Sequence, residues 1–77
     1  MSKTEKQLTE VQEILGKQIT KLRESLGLSQ EAFADKCGWD RGRESKIESG
    51  KYNLTLSSLI AIANASGMYL DINFSKK

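Results

Sequence analysis

The chain has 77 residues, 38% of them hydrophobic and none of them proline, which suits one small folded domain and not a disordered segment. It has no histidine, and Cys37 is its only cysteine, so no Cys/His metal site, histidine acid–base pair, Ser/His triad or internal disulfide can be assembled. The net charge of +2 is not spread evenly: Lys36 to Lys51 holds five basic and three acidic residues, and the rest of the chain is balanced.

These limits point to a binding module without cofactor or metal, and not to an enzyme. The longest apolar stretches are too short to span a bilayer, and the N-terminus has no apolar run of signal-peptide type, so no membrane partner and a cytoplasmic location are expected.

In chain order, the first element is a long helix over about residues 5–26. Leu8, Val11, Leu15, Ile19, Leu22 and Leu26 recur at steps of three and four, which sets them on one face. Two capping-box spacings, opening at Thr4 and Thr9, offer a start, and Gly27 offers a stop. Gly16 falls inside this helix and weakens it slightly.

A second helix opens at Ser29, buries Ala32, Phe33 and Cys37, and ends at Gly38. A third takes Asp40 as its N-cap and runs through Ile47 to Gly50. So short a glycine-containing connection predicts two helices packed at a steep angle, a helix-turn-helix over about 29–50. Leu56, Leu59, Ile60 and Ala63 predict a fourth helix over about 56–66, stopped at Gly67. The period then changes. Leu70, Ile72 and Phe74 alternate with polar residues, which predicts a short half-buried strand over about 69–74.

Nothing else in the chain alternates at period two, so that strand has no internal partner. Its unpaired backbone groups favour antiparallel pairing with the same strand of a second copy, which places Leu70, Ile72 and Phe74 in a homodimer interface. The competing expectation is an extended tail whose apolar residues pack back on the helices.

Leu15 to Asn53 resembles the Cro/cI-type helix-turn-helix of the Xre family. The resemblance is carried by Ile19-Thr-Lys-Leu-Arg23, by Gly27-Leu-Ser-Gln-Glu-Ala-Phe-Ala34, by Gly38 at the turn and by Lys46-Ile-Glu-Ser-Gly50. It implies a mainly α, lambda-repressor-like bundle of four to five helices. The expected partner is double-stranded DNA with a palindromic operator, bound by a homodimer acting as a transcriptional repressor in a bacterial or phage, nucleoid-associated setting.

The resemblance assigns base reading to Arg41, Gly42, Ser45 and Lys46, which also fall within about 140° of one another on a helical wheel. Arg41 is the expected reader of a guanine, through a forked contact on O6 and N7. Gln30, Arg43, Ser49, Lys51 and Asn53 are expected along the DNA backbone. Arg23 and Glu48 are expected as a structural ion pair between the first and third helices.

Glu44 departs from the family pattern, which places an apolar residue there. It is expected to reach solvent or to meet a cation such as Arg41. Trp39, bulky for the turn, is expected in the core and not as a stacking platform.

The Leu54–Leu59 opening of the fourth helix and the Met68–Asn73 segment are similar to HipB-type antitoxins, which implies a HipA-like kinase toxin as a partner. A stand-alone phage or plasmid regulator, or a restriction-modification controller, accounts for the same layout. A protein-interaction module that has lost DNA binding is the third expectation.

Overall fold

A computed structural model describes residues 2–77, with four helices in chain order: α1 (Lys3–Ser25), α2 (Gln30–Cys37), α3 (Arg41–Glu48) and α4 (Leu56–Ala65). Each begins where a short polar side chain satisfies an otherwise orphaned backbone amide. Ser29 Oγ accepts from Ala32 N at 3.1 Å, Asp40 Oδ1 from Arg43 N at 2.7 Å, and Thr55 Oγ1 from Ser58 N at 3.2 Å.

The start of α1 differs from expectation. Its cap is Ser2, whose hydroxyl accepts from Glu5 N at 3.1 Å, and neither threonine serves. Thr9 instead donates back to the Glu5 carbonyl at 3.2 Å from inside the helix. Both capping-box spacings lie within a helix that nothing interrupts, so the earliest available cap prevails.

The core is Ile19 of α1, Phe33 of α2, Ile47 of α3 and Ile62 of α4, with Leu15, Leu22, Leu28, Trp39 and Leu54 packed around it. One apolar side chain from each helix meets at the centre, and α3 packs against both α1 and α2. Gly38, at φ 90°, makes the tight turn that lets α3 leave α2 at once, a conformation that costs any residue with a Cβ.

The strand expected at 69–74 does not form. Among the described residues no strand is present, and Leu70, Ile72 and Phe74 are exposed where half-burial was expected. A strand needs a second backbone edge, and the described residues of a single copy offer none. Among the described residues, no helix is long and apolar enough to cross a membrane.

Candidate nucleic-acid interface

The third helix presents two chemically distinct sides. Arg41, Gly42, Ser45 and Lys46 are all exposed, on the arc that the helical wheel groups together. Ser49, Lys51 and Asn53 continue the exposed polar surface beyond the end of α3, and Ser49 donates to the Lys46 carbonyl at 3.1 Å. Gln30, at the start of α2, is half-buried and spends its amide on the frame: Nε2 lies 3.3 Å from Glu48 Oε1.

The edge of α3 beside this arc is anchored by charge. Arg23 of α1 donates from Nε to Glu48 Oε2 at 2.8 Å and from Nη2 to Glu48 Oε1 at 3.0 Å, and its Nη1 caps the Leu28 carbonyl at 2.8 Å. Thr20 adds a hydroxyl to Glu48 Oε1 at 3.0 Å. The two charged side chains are only 13% and 4% exposed, so they couple α1, α2 and α3 in a medium that screens little. A forked guanidinium on a carboxylate fixes orientation as well as distance, and so holds the exposed arc at a set angle.

Two residues of α3 occupy places that the sequence did not assign them. Glu44 reaches neither solvent nor Arg41. It is 0% exposed, and its Oε1 accepts from Trp39 Nε1 at 2.9 Å. Arg43 is not free for a DNA backbone. Its guanidinium lies 4.3 Å from the Trp39 ring centroid and 5.0 Å from that of Tyr52, and Nη2 donates to Ser58 Oγ at 2.6 Å. Trp39 packs on the core as expected, and its ring also stacks on this chain's own Arg43.

A sequence signal for this was available. Arg43 and Glu44 each lie about 130° from the middle of the exposed arc, flanking buried Ile47 on the wheel. Their polar type points to the surface, and their position on the wheel points to the core. The core accepts them because each meets a partner: the Trp39 indole N–H for the carboxylate, and two aromatic faces with a hydroxyl for the guanidinium.

Glu44 Oε2 meets no donor, and its neighbour one turn on is Glu48. Burial pushes the Glu44 carboxyl up to about 7, and sharing a proton with Glu48 pushes the same way. Burial also opposes ionisation of Glu48, but a proton held on Glu44 and the donors of Arg23, Gln30 and Thr20 outweigh that and hold it down at about 2. A raised carboxyl favours folding in its protonated form, so stability is lost as pH rises from the ordinary carboxylate range through 7. Glu44→Gln keeps an acceptor for Trp39 and gives Glu48 a permanent donor. It is expected to remove that alkaline decline and add about 1–3 kcal/mol at pH 8, the scale of an unpaired buried polar group. Urea denaturation at pH 5 and pH 8 checks it. An unchanged pH slope in the variant would assign the titration elsewhere.

Cys37 is half-buried beside the same cluster. Burial, with a contribution from Glu44, pushes its thiol up to about 11, which leaves little thiolate for chemistry. Among the described residues, no group of three or more histidine, cysteine, aspartate or glutamate side chains is placed to hold a metal ion.

A family model described as helix-turn-helix, HTH_3, matches residues 19–72. The control protein C.MunI from a Mycoplasma species is 43% identical over 61 residues, which is 78% of this chain and 82% of that protein. The crystal structure of the restriction-modification controller protein C.AhdI from Aeromonas hydrophila matches the fold with a TM-score of 0.77 at 30% identity, covering 79% of this chain and 88% of that one.

Proposed function

The chain belongs to the HTH_3 helix-turn-helix family, and from that premise we propose that it is a homodimeric, sequence-specific DNA-binding regulator of the restriction-modification controller type, cytoplasmic and without enzymatic activity. The observation that carries this reading is the exposed arc of Arg41, Gly42, Ser45 and Lys46 on a helix tied to α1 by a buried ion pair at the arc's edge. A helix presented this way enters the major groove with its first turn at the base edges, where Arg41 sits. Gly42 lets the backbone come close at that point, and Lys51 and Asn53 lie where phosphates pass.

Both relatives bear the names of controller proteins, and this supports the controller reading over the HipB-type antitoxin. A HipA-like kinase partner draws no support from them. A restriction-modification locus found beside the gene would add to this proposal, and a kinase gene found there would count against it.

Titration of operator fragments by gel shift tests the function directly. Arg41→Ala is expected to cost about 1–3 kcal/mol and to relax preference at one base pair of each half-site. Lys51→Ala is expected to weaken binding on all sequences alike and to lower the salt dependence by about one counterion. Equal losses on every sequence for Arg41→Ala would demote it to a phosphate contact. No binding by the unaltered protein to any fragment from its own locus would leave only the protein-interaction reading.

A further inference from the structure

An apolar groove of about 220 Å³ runs between α1 and α4, lined by Leu15 and Leu22 from one side, Leu59 and Ala63 from the other, and Met68 and Leu70 from the segment that follows α4. Among the described residues, no side chain fills it. Beside it, among the described residues, no backbone group from Tyr69 onward makes a hydrogen bond, and Phe74 is 100% exposed. An apolar cavity and an exposed apolar tail whose backbone pairs with no other segment therefore stand next to each other.

We infer that this groove receives Phe74 from a second copy of the chain, carried in by antiparallel pairing of the two C-terminal segments about Ile72. This deepens the homodimer reading and rests on it. The register follows from side chains alone. Pairing centred on Asp71 sets two carboxylates face to face, and pairing centred on Asn73 sets Leu70 against Lys76. A slip of one residue puts every apolar side chain opposite a polar one. Pairing centred on Ile72 brings Ile72 to its own copy, Asp71 to Asn73 and Leu70 to Phe74, with all the apolar residues on one face.

That register decides what enters the groove. Opposed residues in such a pair have Cβ atoms about 4.5–5.5 Å apart. Leu70 lines the groove, so the aromatic ring opposite it lies at the groove mouth, and the two-fold axis repeats the exchange in the other copy. One step satisfies the backbone edge, buries both phenylalanines and fills both grooves.

Phe74 is fully exposed in the single chain, so Phe74→Ala leaves the monomer fold intact. Sedimentation equilibrium of the full chain is expected to show its dimer dissociation constant raised about 100-fold, the scale of losing a buried aromatic anchor twice. In Ile72→Cys, mild oxidation is expected to join the two introduced sulfurs to each other, with peptide mapping separating that product from any link through Cys37. Unchanged dimerisation of Phe74→Ala, or no link between the introduced sulfurs in a protein that is dimeric, overturns the inference and leaves the homodimer reading standing. An unaltered protein that stays monomeric at micromolar concentration overturns both. Operator binding by Phe74→Ala, recovered at concentrations that restore its dimer, separates loss of pairing from loss of the DNA-facing surface.

Discussion

Arg23→Ala is expected to lower stability by about 3–5 kcal/mol at pH 8, the cost of stranding one partner of a buried ion pair. The loss falls on more than one contact. Arg23 holds both oxygens of Glu48 and also the Leu28 carbonyl between α1 and α2. Without it, Glu44 and Glu48 face each other as two carboxylates with no cation among their hydrogen-bonding partners. The Glu48 carboxyl then rises from its depressed value, because burial and Glu44 now act with no guanidinium against them. A carboxyl raised above its unfolded value is penalised above its folded pKa and relieved as pH falls. The deficit of the variant is therefore expected to shrink on going from pH 8 to pH 5. Urea denaturation at the two values measures it. An equal deficit at both would mean that Arg23 acts through packing alone.

Gly16→Ala carries the second large effect, against the sign that helix propensity suggests. In an exposed helix the change adds up to about 1 kcal/mol of stability. Here a Cβ on Gly16 stands 2.6 Å from the Glu48 carbonyl oxygen and 2.8 Å from that of Ile47, both backbone atoms of α3. Backbone cannot swing aside as a side chain does, so α1 and α3 must part, at a net cost of about 1–3 kcal/mol. The same displacement moves Glu48 away from Arg23 and tilts the exposed arc of α3. Loss of operator affinity beyond the loss of stability is the expected signature, read by gel shift at a temperature where the variant is folded. A variant more stable than the parent would show that the crossing has slack. Gly50 meets the same helix at the other end of the contact: a Cβ there would lie 2.8 Å from Glu13 Cα, at a backbone φ of 78°.

Much of this arrangement was legible in the residues. Ser29, Asp40 and the glycines after each helix mark boundaries through local backbone chemistry, which neighbouring residues determine on their own. The spacing of Arg41, Gly42, Ser45 and Lys46 shows that they share a face before any fold is known. Arg23 and Glu48 were paired by resemblance, and the geometry supplies the reason: the two fall where α1 and α3 cross.

What the sequence left undecided has a common physical origin. Glu44 and Arg43 look like surface residues by type, and only the packing of α2 and α4 around α3 shows that Trp39, Tyr52 and Ser58 are there to receive them. Gly16 reads as a small local weakness until a second backbone lies within reach of its missing Cβ. The alternation at Leu70, Ile72 and Phe74 identifies a segment able to form a strand, but one chain lacks the edge that would make it one. Helix positions, the Ser29 and Asp40 caps and the exposed arc of α3 were thus set by local sequence. The buried charge pair, the α1–α3 crossing and the unpaired tail were decided by tertiary structure, because each depends on what another part of the chain, or its absence, places alongside.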